Sequence, residues 1–177
     1  MTQDAFVRHR PLGPVAYGLG FAVVFADQLS KAWILNGLNL PLFGSVDIAG
    51  PLRLTLVWNR GVSFGLFRAD ADFTRWALAA FSLVVSLFLI NWARKIERPR
   101  LAISVGLILG GAIGNLIDRV RWGAVCDFID ASALHFPWVF NLADSAITIG
   151  VILLLIDNLL TPETPTTKAG SDAQSGS

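Results

Sequence analysis

Four long stretches of this chain carry almost no charge, and each is long enough to cross a lipid bilayer as a helix. A hydrocarbon core about 30 Å thick takes roughly 20 helical residues. The stretches run over about 12–35, 73–92, 101–119 and 138–160. Between Leu78 and Ile90 the polar groups are Ser82 and Ser86, and between Leu101 and Leu109 there is Ser104. A helix at the surface of a soluble bundle shows a polar stripe every third or fourth residue; these have no wet face. The composition agrees, at 54% hydrophobic and 15% charged residues with a mean hydropathy of +0.58. The expected fold class is an all-α membrane protein, a bundle of four transmembrane helices with a small extracytoplasmic β-sheet element and a short periplasmic helix or loop. Residues 1–160 read as a single integral membrane domain. The Thr-, Pro-, Ser- and Gly-rich 161–177 read as a disordered tail. The first stretch ends in Asp27-Gln28-Leu29-Ser30-Lys31 and reads as a retained helix rather than a cleaved signal peptide.

Charge sorts the ends of the helices. The short link between the second and third stretches carries Arg94, Lys95, Arg98 and Arg100 against Glu97, and Arg8 and Arg10 stand before the first. Positive residues in short loops mark the cytoplasmic side, which puts both termini in the cytoplasm. Trp33, Trp76, Trp122 and Trp138 then fall at the outer interface and Trp92 at the inner one. A net charge of +1 provides no field to hold nucleic acid.

Of the two external segments, the longer, about 36–70, holds Leu52-Arg53-Leu54-Thr55-Leu56-Val57-Trp58, which alternates with the period of a strand. Asn59-Arg60-Gly61 is a turn signal, and Val62-Ser63-Phe64 reads as a returning second strand. The segment Arg121 to Pro137 is shorter and mixed in character, and reads as a loop able to cover a site.

The polar groups of the helices gather at one depth, near the outer interface. Asp27 and Lys31 end the first helix, Asn115, Asp118 and Arg119 end the third, and Asn141 and Asp144 open the fourth. Asp127 and Asp130 lie in the external segment between them. Asp144 comes six residues after Trp138, about 9 Å along a helix that starts there. The inner half of the bundle reads as inert. Ionisable groups at membrane depth are costly and mark function. Two carboxyls brought together cannot both ionise, so one keeps a proton while the other stays charged. The charged one activates water and the protonated one polarises a carbonyl and later protonates a leaving amine.

That chemistry hydrolyses a peptide bond with neither metal nor covalent intermediate, and no cofactor is expected. Other nucleophiles are poorly served. Ser63 and Ser145 have no histidine nearby apart from a remote Ser–Lys possibility through Lys31, and Cys126 has only His135. His9 and His135 lie far apart, in no metal-ligand spacing, and read as surface residues.

Spacing alone does not select the pair among Asp27, Asp118, Asp127, Asp130 and Asp144. Structural duties compete: Asp27 with Lys31 is an i,i+4 pair, and Asp118 beside Arg119 suits a helix end. An ion or proton pathway, or a role in assembly and binding, competes with catalysis. Gly106, Gly110, Gly111 and Gly114 form small-xxx-small spacings in the third helix. Close helix packing is the expected use, and room for a substrate helix near Gly114 the alternative.

Five ordered segments carry a family resemblance: Asp27-Gln28-Leu29-Ser30-Lys31, Asn59-Arg60-Gly61-Val62-Ser63-Phe64-Gly65, Gly110 to Arg119, Val125-Cys126-Asp127-Phe128 and Phe140-Asn141-Leu142-Ala143-Asp144-Ser145. The sequence resembles the lipoprotein signal peptidases, the type II bacterial signal peptidases, over about 12–160. One departure is Ser63, where the family often has alanine. The resemblance implies an aspartic endopeptidase of the bacterial plasma membrane that cuts prolipoproteins before their diacylglyceryl-modified cysteine. It implies Asp127 and Asp144 as catalytic, with Asp27, Lys31, Asn59, Asn115, Asp118, Arg119 and Asn141 in support. It also implies a working monomer, a target of cyclic peptide antibiotics that resemble the substrate. A lipid-anchored substrate presents its scissile bond at the outer membrane surface. The sheet around Asn59 and Gly61 is then placed to hold the peptide by backbone hydrogen bonds. Rival expectations are a non-enzymatic transporter subunit or a lipoprotein-binding chaperone.

Overall fold

Hydropathy, proline and capping set the helices. A computed structural model describes residues 10–61, 71–134 and 138–160. Helix α1 spans Gly13–Ala32 and runs on through a π turn at Trp33–Gly37. A short helix α2 covers Leu40–Phe43, α3 Ala71–Ala93, α4 Pro99–Trp122 and α5 Leu142–Leu160. Pro99 opens α4, where its missing N–H costs nothing. Four helices are long and apolar enough to cross a membrane: Gly13–Gly37, Asp72–Ala93, Pro99–Trp122 and Leu142–Leu160. In-helix serines satisfy themselves, Ser86 and Ser104 donating to the carbonyls of Ser82 and Arg100 at 2.7 and 2.9 Å.

Helix α4 is the hub, largely buried while the other three expose most of their surface. Its glycines make this possible. A β-carbon on Gly106 would stand 2.7 Å from the Ala16 carbonyl, and one on Gly110 would stand 2.6 Å from that of Gly20. A β-carbon on Gly111 would meet the Ala143 carbonyl, and one on Gly114 would stand 2.7 Å from the Asp27 carboxylate. The expected packing role therefore holds. No space for a substrate helix is left at Gly114, because Asp27 and Ala143 fill it.

A four-stranded antiparallel sheet stands at the end of the bundle where α1 and α4 finish and α5 begins. Strands β1 (Ser45–Ala49), β2 (Leu52–Asn59), β3 (Val125–Asp130) and β4 (Val139–Phe140) lie in that order. Val57 faces Asp127 and Asn59 faces Val125 across β2 and β3. Ile34, Leu40, Leu54, Cys126 and Phe128 form the core beneath the sheet. A separate core of Ala16, Leu89, Ala93, Ile96, Leu101, Ala102, Val105 and Leu109 fills the other end.

Three expectations change. The segment after α4 is not merely a loop: 125–130 is a strand at the middle of the sheet. Its alternation is masked because both its faces are covered. The last helix begins at Leu142 rather than 138, since Val139 and Phe140 pair with Asp130 and Ile129 as β4. Asp144 is therefore in the first turn of α5, and the depth counted from Trp138 does not apply. The other end is not inert either, because Asp157 of α5 is buried and paired with Arg98 at 3.0 Å. The turn at Asn59–Gly61 forms as expected, with Gly61 at φ +80 and its N–H bonded to Asn59 Oδ1 at 2.8 Å. The proposed returning strand at 62–64, His9, His135 and the tail lie outside the described residues.

Candidate active site

Asn141 organises the start of α5. Its Oδ1 accepts the Asp144 N–H at 2.9 Å, while its own N–H reaches back to Asp144 Oδ2 at 3.4 Å. This is a reciprocal capping box, with aspartate three residues after the cap. It fixes the Asp144 carboxylate at a helix N-terminus, where the helix dipole favours negative charge. The remaining Asn141 donor group, Nδ2, bonds Asp127 Oδ1 at 2.6 Å and Asn115 Oδ1 at 3.3 Å. Asn115 Nδ2 in turn donates to Asp144 Oδ1 at 2.7 Å. One asparagine thus bridges Asp127 and Asp144, and a second closes the ring. Asp127 is 1% exposed, whereas Asp144 is half-buried.

Burial pushes the Asp127 carboxyl up to about 6, and the negative charge of Asp144 pushes the same way. Hydrogen bonds from Asn59 and Asn141 and the charge of Lys31 oppose that shift. Asp130, three residues on, is held low by hydrogen bonds from Ser132 and Thr55 and by the charge of Arg53. Its oxygens take the Ser132 N–H and the Thr55 hydroxyl, each at 2.9 Å. Cys126 is fully buried, and burial pushes its thiol up to about 12, so it stays protonated and inert.

The remaining two candidates are consumed elsewhere. Lys31 Nζ lies 2.8 Å from Asp27 Oδ2 and 2.7 Å from Asp118 Oδ2, all three side chains being fully buried. Gln28 Nε2 bonds Asp118 Oδ1 at 2.9 Å and Asp27 Oδ2 at 3.2 Å. Asp118 Oδ2 also accepts the Cys126 N–H at 3.1 Å, and Asp27 Oδ1 accepts the Ala143 N–H at 3.0 Å. The expected i,i+4 pair of Asp27 and Lys31 is present. Asp118 pairs with Lys31 rather than Arg119. Arg119 donates to the Asn115 carbonyl at 3.3 Å, and its charge acts on Asp144, Asp118 and Asp127.

The backbone participants had no sequence signal. The N–H groups of Cys126 and Ala143 are backbone, and only the fold brings them to carboxylates. Gln28 lies between Asp27 and Lys31 in sequence, and the fold gives it both carboxylates of the triad to bond. Arg75 from α3 caps α4, donating to the carbonyls of Arg119 and Val120 at 2.8 and 2.9 Å. From Asp144 a cavity of about 450 Å³ runs along α5, lined by Trp138, Phe140, Ser145, Thr148 and Ile149. Its walls are mostly apolar.

The family described as signal peptidase (SPase) II matches residues 19–160. A lipoprotein signal peptidase of Caulobacter vibrioides is 53% identical over 152 residues, covering 85% of this chain and 90% of that protein. One from Methylorubrum extorquens is 43% identical over 148 residues, covering 82% and 86%. A bacterial membrane enzyme solved by the in meso method at 1.9 Å superposes with a TM-score of 0.73 at 28% identity, covering 84% of this chain and 95% of that one.

Proposed function

The chain belongs to the signal peptidase II family, and from that premise we propose that Asp127 and Asp144 are its catalytic pair. As a member it is an aspartic peptidase that removes signal peptides from prolipoproteins, and a multi-pass protein of the inner membrane. The supporting observation is Asn141, whose side-chain Nδ2 donates to the Asp127 carboxylate while its backbone N–H reaches the Asp144 carboxylate, with Asn115 completing the link from the side chain of Asn141 to Asp144.

In this reading Asp127, the more deeply buried of the two, holds the shared proton, and Asp144 is ionised. Asp144 takes a proton from a water as that water attacks the scissile carbonyl carbon. Asp127 gives its proton to the carbonyl oxygen, forming a neutral gem-diol. Collapse of the gem-diol breaks the C–N bond. The leaving nitrogen takes the proton from Asp144, and a gem-diol hydroxyl returns one to Asp127. The products are a signal peptide with a new carboxyl end and a mature chain with a free amine. Asn115 and Asn141 hold the two residues in place, and Arg119 sets a positive charge beside the pair.

The cut falls before a diacylglyceryl-modified cysteine, with acyl chains in the apolar groove beside Asp144 and the peptide along the sheet near Asn59 and Gly61. The basic link Arg94 to Arg100 faces the cytoplasm with both termini, so the site opens at the periplasmic face. Residues up to about 160 work as one unit, as a monomer, and cyclic peptides shaped like the substrate block the groove.

The test is cleavage of a diacylglyceryl prolipoprotein by purified parent, Asp127→Asn and Asp144→Asn. Each substitution keeps the side-chain volume and removes the ionisable group. A loss of at least about 10³-fold in kcat is expected from each. Near-parental turnover by either folded variant contradicts the assignment.

A further inference from the structure

We propose that the buried Asp27–Lys31–Asp118 triad is a two-armed positioning device, each arm gripping the backbone immediately before one catalytic aspartate. Asp118 holds the N–H of Cys126, the residue preceding Asp127, at 3.1 Å. Asp27 holds the N–H of Ala143, the residue preceding Asp144, at 3.0 Å. Lys31 lies 2.7–2.8 Å from both carboxylates and ties the arms together. Strand β3 and helix α5 come from different parts of the chain, and their two catalytic residues must keep one separation. The triad refers both to a single ammonium group. The inference rests on the assignment of Asp127 and Asp144 made above.

Stability alone is a poor account of this arrangement. The glycine contacts of α4 already join it to α1 and α5. Burying three charges carries a desolvation cost that their attraction only partly offsets. One Asp–Lys pair would tie α1 to α4; the second carboxylate, and the hydrogen bonds that the two carboxylates accept from backbone N–H groups, are what extend the cluster to the reacting residues. Asp27, Lys31 and Asp118 are positioning residues, because they act through the backbone of their neighbours.

The charge count makes the idea testable. Two carboxylates share one ammonium, so Asp118→Ala or Asp27→Ala leaves a matched pair behind. Each alanine variant is expected to lose about 10²-fold in kcat, the scale of a misplaced reacting group, with KM within about threefold of the parent. Each also changes the separation between the two limbs of the pH profile of kcat/KM. Asp118→Asn and Asp27→Asn keep an oxygen that accepts the same N–H, and are expected to recover kcat to within about tenfold of the parent with the parental profile. A purely structural triad predicts lower melting temperatures but parental kcat and pH profile in the folded fraction of all four variants, and that result overturns the proposal.

Should an alanine variant fail to fold, the uncharged combination Asp27→Asn, Lys31→Met, Asp118→Asn decides. It keeps both acceptors, so kcat within about tenfold of the parent supports the tethers, and a folded but inactive protein overturns them. Asp127→Asn and Asp144→Asn run alongside. If either is active, the catalytic assignment fails; if both are inactive while the alanine variants turn over normally, only the positioning role fails.

Discussion

Two buried polar clusters lie side by side at the same end of the bundle, built from the same residue types and wired differently. In one, Asp27 and Asp118 share Lys31, and each of their oxygens also meets an amide or a backbone N–H. In the other, no cation among the described residues makes an ion pair with Asp127 or Asp144, and the two are joined through the side chains of Asn141 and Asn115. A bonded ammonium neutralises a carboxylate and leaves it nothing to exchange. An amide satisfies its geometry and leaves the proton in play. Burial is common to both clusters; what differs is that an ammonium bonds the carboxylates of one and amides bond those of the other.

The largest effect that would sharpen this contrast comes from the cation. Lys31→Met leaves two buried carboxylates unmatched, which costs about 3–5 kcal/mol. Purified in detergent, it should melt far below the parent or fail to accumulate. An unchanged melting temperature would mean that the triad carries no ionic load.

Asn141→Ala should act mainly on rate. It removes the bridge between the carboxylates and is expected to lower kcat about 10²-fold, while loss of the cap costs about 1 kcal/mol. Asn141→Ser restores a capping oxygen but not the bridge. It should therefore recover stability and not activity, and recovery of both would break the distinction between cap and bridge.

The pH dependence follows from the sign of the Asp127 shift. The reaction needs Asp127 protonated, so kcat/KM should fall as pH rises through about 6. Asn59 stabilises the ionised form by hydrogen bonding. Asn59→Ala should therefore move that falling limb to higher pH, by less than about one unit; movement to lower pH would contradict the wiring. At the far end of the bundle, Arg98→Ala removes one ion-pair partner of Asp157. With Arg98 nearly half exposed but Asp157 left buried, the expected cost is about 1–3 kcal/mol, below that of Lys31→Met, with no change in kcat.

What was legible in the sequence was whatever a local pattern records. Long, largely apolar runs mark the four crossings, and their ends at Ala93 and Pro99 lie close to expectation. The glycines of α4 announced close packing. The turn at Asn59–Gly61 was readable because Asx and glycine chemistry is local. Strand β3 was not readable, because a strand covered on both sides loses its alternation and Asp127 and Asp130 break its apolar run. The start of α5 is hidden for the converse reason: Trp138, Val139 and Phe140 continue the apolar pattern, yet they form β4 and its approach. For the site, five aspartates were visible and their roles were not. What separates Asp118 from Asp127 is the nearest cation, set by tertiary contacts between α1 and α4. The family resemblance named the pair that the residues alone left open.

The central claim is that Asp127 holds a proton that Asp144 helps to keep there. Infrared difference titration of the purified protein measures it directly through the carbonyl stretch of a protonated carboxyl. The parent should show one carboxyl band titrating near pH 6. That band should be missing from Asp127→Asn, and its midpoint should move to lower pH in Asp144→Asn, where the neighbouring negative charge is gone. Parent and Asp127→Asn spectra that superimpose across the titration would contradict the account.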